Sequence, residues 1–130
     1  MLASVNATPQ STDQPTTPLS PLALRVAAAV AEWSRADTVP HRYGGVEFRV
    51  GTREFGHIHP EGPVDIPFTK RIRDEVVAAG LASRHHVLPK SGWVSVQLTD
   101  ETSVENAVSL LRRSYLVAMQ RSMRQTANRS

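Results

Sequence analysis

All five histidines of the chain, His41, His57, His59, His85 and His86, fall between positions 41 and 86. Imidazole is both a common metal ligand and a proton carrier near neutral pH, so this clustering is where chemistry is sought first. His57 and His59 are two residues apart, a spacing that on a strand puts both rings on one side. His85 or His86 on a second strand can add a third ring, and Glu54 or Asp65 can supply a carboxylate. The result is a three-His or a two-His-one-carboxylate set suited to zinc or another divalent ion, with His57, His59 and His85 as the expected metal ligands. The competing reading is that these are hydrogen-bonded histidines packed between helices and sheet. Phe55 shares the strand parity of His57 and argues that this face is at least partly buried.

Other residues could bind rather than react. His41, Arg42, Tyr43 and Trp93, together with His57, His59 and His85, form an expected ligand-binding set, its aromatic and cationic members being suited to a base or a phosphate. Trp93 can equally be a half-buried sheet residue, and Tyr115 a core or rim contact. Lys70, Arg71 and Arg73 open a helix, where the dipole disfavours cations, so they either serve an anionic partner or pair with Asp74 and Glu75 on a solvated face. With Arg121 and Arg124 they form the expected nucleic-acid contacts. Ser91 and Ser95 lie near His85 and His86, but the chain has no nucleophile elbow and no P-loop, and Ser91-Gly92 reads as a turn.

Composition narrows the classes. At 130 residues, 40% hydrophobic and 21% charged, the chain supports one core, less than a (β/α)8 barrel or a doubly wound nucleotide-binding enzyme needs. Its net charge of +3 is accounted for by Arg121, Arg124 and Arg129 in an acid-free C-terminal stretch, a weaker sign of nucleic-acid binding than a basic face. Without cysteine there is no disulfide and no thiolate chemistry, which fits a reducing interior. No signal peptide is recognisable and no apolar run approaches the ~20 residues of a membrane span, so a cytoplasmic protein with no membrane partner is expected. A small-molecule ligand, a nucleic acid and a second copy in a homodimer remain compatible partners.

The elements that must position these residues follow from period and punctuation. Residues 1–19 are rich in Ser, Thr, Pro and Gln and read as a disordered tail. Ser20-Pro21 caps a helix with Leu22, Val26, Val30 and Trp33 on one face as far as Ala36. Val46, Phe48 and Val50 then alternate, Gly51-Thr52 turns the chain into Arg53–His59, and Val64, Ile66 and Phe68 make a short strand that Pro67 confines to an edge or an end. Thr69 caps a second helix that Gly80 stops, with Leu81 as its hydrophobic contact. A short strand at His85–Leu88 and a better one at Trp93–Leu98 follow. Thr102 and Glu105 fit a capping box for a last helix to about Met123, leaving residues 124–130 as a basic tail. The order α-β-β-β-α-β-β-α makes residues 20–123 a single α+β domain, helices packed on a mostly antiparallel five-stranded sheet.

The run Pro40–Phe48, then Arg53-Glu54-Phe55-Gly56-His57-Ile58-His59, Asp65-Ile66-Pro67-Phe68, His85-His86-Val87-Leu88-Pro89 and Ser91–Ser95 resembles the short luciferase-domain family across roughly residues 38 to 118. No activity is implied by that resemblance, and no flavin is expected, because flavin-dependent luciferases are large barrels. More distantly, the element order, the Trp93–Leu98 strand and Ser114-Tyr115 are similar to the YjbR/MmcQ family, whose fold resembles double-wing DNA-binding domains. Three functions follow: a non-catalytic binding module for a small ligand or partner, a metal-dependent enzyme centred on the histidines, and, by analogy of fold, a DNA-binding module.

Overall fold

The computed structural model of the chain describes residues 18–41 and 44–129. Nearly all of the expected N-terminal tail, and both Arg42 and Tyr43, lie outside the described residues. The elements are α1 (Pro21–Ala31), β1 (Asp37–Pro40), β2 (Val46–Val50), β3 (Arg53–Ile58), β4 (Val64–Pro67), α2 (Lys70–Ala78), β5 (Ser83–Arg84), β6 (Trp93–Val96) and α3 (Glu101–Arg129). The strands form one sheet in the order β1-β2-β3-β4-β6-β5, each neighbouring pair antiparallel. The α+β class is as expected, but the sheet has six strands, not five.

The extra strand is β1. The first helix stops at Ala31 rather than Ala36, its C-cap Glu32 bonding back to Ala29 and Val30, and Arg35 at a φ of 64° turns the chain into Asp37. Polar Asp37 and Thr38 gave no alternation to signal a strand; β1 exists because β2 offers it a free edge. The strand expected at His85–Leu88 is instead the two-residue β5, whose register ends at Arg84↔Val94. Pro67 does end its strand, as expected.

Caps set the helices. Ser20 Oγ accepts from Ala23 N at 3.2 Å and Thr69 Oγ1 from Ile72 N at 3.2 Å. Gly80 at a φ of 76° lets Gly80 N bond Val77 O and Leu81 N bond Val76 O, the paired closure that ends α2. The capping box of α3 lies two residues before the expected one: Asp100 Oδ1 accepts from Ser103 N at 2.9 Å, and Ser103 Oγ accepts from Asp100 N at 3.0 Å. At its other end α3 continues through Arg129, so residues 124–129 are helix rather than tail.

The core is the helix-facing side of the sheet. Phe48, Val50, Ile58, Val64, Ile66, Val94 and Val96 pack with Val26 and Val30 of α1 and with Leu111, Tyr115 and Ala118 of α3. Phe55 joins them, its ring 6.2 Å from Trp33, 5.9 Å from Phe48 and 5.5 Å from Tyr115. Tyr115 Oη donates to Ser34 O at 2.7 Å, which ties α3 to the turn after α1.

Candidate metal centre

A bulge determines which side chains reach the other face of the sheet. The β2–β3 register runs Glu47↔His57 and Phe48↔Gly56 but resumes at Arg49↔Glu54, so Phe55 is the extra residue. Phe55 and Gly56 therefore both face the helices, and strand parity inverts between them. Gly56 has no room for a side chain there, since a Cβ would come within 2.4 Å of Leu111 Cδ2. The expectation that Phe55 shares a face with His57 is thus corrected: Phe55 is in the core, while Glu54 and His57 both reach the opposite face.

On that face the register lines up Glu47, His57, Asp65, Ser95 and Ser83 across five strands. Asp65 is the centre of the row and is fully buried. Its Oδ1 accepts from Ser95 Oγ at 2.7 Å. Its Oδ2 is met by His57 Nε2 at 3.1 Å, His59 Nε2 at 2.9 Å and His85 Nε2 at 3.3 Å. The other nitrogen of His57, Nδ1, lies 2.5 Å from Glu54 Oε2. His41 stacks on His57 at 4.4 Å between centroids, and Trp93 closes another side at 5.3 Å from the His57 ring.

Electrostatics follow from this placement. Burial works against charge on His57, but hydrogen bonds to Asp65 and Glu54 outweigh it and raise its pKa to about 9. Asp65 is likewise opposed by burial, yet the bonds from His57, Ser95 and His59 hold it well below the ordinary carboxylate range. His41 is shifted down by burial and by the charge of His57.

The tautomers separate the histidines by role. His85 Nδ1 accepts from the backbone N–H groups of Val87 and Leu88, both at 3.2 Å, so Nε2 carries the hydrogen and lies 3.3 Å from Asp65 Oδ2 as a charge contact, not a hydrogen bond. In His57 the carboxylate of Glu54 holds the hydrogen on Nδ1 and leaves Nε2 with a lone pair aimed at the centre whenever the ring is neutral. Nε2 of His57, a ring nitrogen of His59 and an oxygen of Asp65 can all lie within 4.8 Å of one another. Donors bound to one ion at about 2.0–2.2 Å and right angles sit about 3 Å apart, close to the Nε2···Oδ2 distances seen here.

The remaining expected site residues divide. His86 stacks on His85 at 4.9 Å and is exposed. Arg73 is buried, bonding Ser91 O at 2.7 Å and Asp74 at 2.8 Å, so it faces the protein and is not available to a nucleic acid. Lys70 and Arg71 are exposed, Arg71 lying 3.6 Å from Glu75. Arg121 and Arg124 line a groove with the β2–β3 turn. Ser95, considered as a nucleophile, is an anchor for Asp65; Arg53, which borders the same groove, had no signal in the sequence at all.

No helix among the described residues is long and apolar enough to cross a membrane. No curated protein and no solved structure matches the chain, so nothing here shows the likeness to YjbR/MmcQ. The family model described as Luciferase domain matches residues 52–114, from the β2–β3 turn to the middle of α3. That stretch holds His57, His59, Asp65, His85, Trp93 and Ser95, and over those residues the chain is similar to the luciferase-domain family.

Proposed function

We propose that this domain is a metal-dependent enzyme whose divalent ion is held by His57 Nε2, His59 Nε2 and Asp65 Oδ2. The observation that carries this reading is the crowding at one oxygen: three imidazole nitrogens approach Asp65 Oδ2 within 3.3 Å, where the hydrogen bonds of His57 and His59 already fill the two or so lone-pair directions of a carboxylate oxygen and leave none for His85. An ion placed among His57, His59 and Asp65 relieves that crowding and leaves His85 beside the ligand set, 3.3 Å from Asp65 Oδ2. Glu54 then orients His57, and Ser95 fixes Asp65, the supporting contacts a ligand set requires. A two-His-one-carboxylate set with open positions suits oxygen chemistry at iron or metal-assisted hydrolysis.

Purified without a polyhistidine tag, the protein is expected to carry one equivalent of a first-row divalent metal by mass spectrometry. His59→Ala should lose it while keeping its circular-dichroism spectrum, because His59 lies at the open rim with 30% of its side chain exposed. Metal-free protein, even after growth with added iron, zinc and manganese, overturns the reading.

The non-catalytic binding module is the second reading, and the same distances favour it. Separations of 2.9 and 3.1 Å are also hydrogen-bond lengths, so a charged His57 between Glu54 and Asp65 satisfies the network with no ion. On that reading metal is absent and the face binds a ligand or partner directly.

A further inference from the structure

Beside the histidine centre the β3–β4 ladder is short. Among the described residues, β3 and β4 are in register at His57↔Asp65 and Ile58↔Val64 and no further toward Arg53. Beyond that point lies a cleft of about 340 Å³ floored by α3. Phe68, Ile72, Trp93 and Val117 give it apolar walls, and Arg53 and Arg121, both exposed, also line it. Glu54 and Trp93 line the cleft and also touch the histidine centre, Glu54 bonding His57 at 2.5 Å and Trp93 lying 5.3 Å from its ring.

The two arginines are the unusual feature. Neither has an acidic partner within ion-pair distance among the described residues, and Arg53 is shifted down by burial and by the nearby charge of Arg121. Two guanidinium groups lining one cleft without ion-pair partners repel each other in a way that a bound anion relieves, and their forked donors match carboxylate, sulfonate and phosphate oxygens. A nucleic acid would also satisfy the charges, but the apolar walls behind them favour a ligand with an apolar body.

We propose that this cleft binds an organic anion, its apolar or aromatic body against Phe68, Ile72, Trp93 and Val117 and its anionic group between Arg53 and Arg121, with the far end directed past Glu54 to the histidine centre. Calling that anion a substrate rests on the metal-centre reading; the binding does not. The apolar end would then be the end presented for reaction, and the charged end would fix its orientation.

The test uses two fluorescent probes that differ by one group, 8-anilinonaphthalene-1-sulfonate and its uncharged parent N-phenyl-1-naphthylamine. The sulfonate is expected to bind the full chain saturably at one site, and Arg53→Gln with Arg121→Gln to weaken it at least tenfold while the parent amine changes less than twofold. Phe68→Ala should weaken both. Equal binding of the sulfonate to wild type and to the double variant overturns the proposal. So does salt-steep binding of an oligonucleotide that the same two substitutions abolish while sulfonate binding persists. Sulfonate binding that depends on the two arginines in a protein holding no metal upholds the cleft and removes only its role as a substrate site.

Discussion

The two faces of the sheet are built from the same strands yet are stabilised and used in opposite ways. Toward the helices, Phe48, Phe55, Ile58, Ile66 and Leu111 are fully buried and apolar, so that face is held by area removed from water and by packing. Toward the other side, Asp65 is equally buried but is surrounded by His57, His59, His85 and Ser95, so that face is held by hydrogen bonds and charge. A bulge of one residue at Phe55 divides them. The helix-facing side is where the domain keeps its stability, and the polar side is where it can spend stability on a site whose groups must be charged, close and partly accessible.

Substitutions should separate the two faces. Phe55→Ala empties a pocket between Trp33, Phe48 and Tyr115 and should cost about 3–5 kcal/mol in denaturant unfolding, the largest single effect. Asp65→Asn leaves a charged His57 against a neutral amide and should cost about 3 kcal/mol in the metal-free protein. Tyr115→Phe removes the bond to Ser34 O and should cost about 1 kcal/mol. His59→Ala, at the open rim, should leave the unfolding midpoint nearly unchanged. A loss for His59→Ala as large as that for Phe55→Ala would break the division between the faces.

Acid and base should act on the polar face through His57 and Asp65. The pKa of His57 is raised to about 9, above the unfolded value near 6.5. Its contribution to stability in the metal-free protein is therefore complete below pH 6.5 and is lost as pH rises through 9. Asp65 is lowered, so its contribution is present above the ordinary carboxylate pKa and is lost only in strong acid. Thermal unfolding of the metal-free protein followed from pH 6 to 10 should show the alkaline loss, and His57→Gln should flatten it. An unchanged profile in that variant would mean that His57 is not the group responsible.

Much of the helix-facing side was legible in the sequence because its signals are local. Ser20 and Thr69 cap as expected, Gly80 stops α2, and the alternation of Val46, Phe48 and Val50 marks β2. β1 was not legible, since a short polar edge strand is created by its neighbour rather than by its own pattern. The histidines could be identified, but their arrangement could not. Counting by two from Phe55 to His57 fails at the bulge, where Gly56 lies against Leu111 with no room for a side chain, a contact between residues far apart in the chain. The same limit hid the role of Ser95, which depends on β6 pairing with β4, and the exclusion of Arg73 from the surface, which depends on Ser91 O.

Titration of the metal-free protein with cobalt(II), followed by its visible absorption, tests most directly whether His57, His59 and Asp65 form a metal centre. The expected result is a saturating spectrum with an end point at one equivalent, lost in His59→Ala and retained in Lys70→Ala. No saturable spectrum, or one that His59→Ala leaves unchanged, would contradict the centre and leave the polar face as an internally paired network.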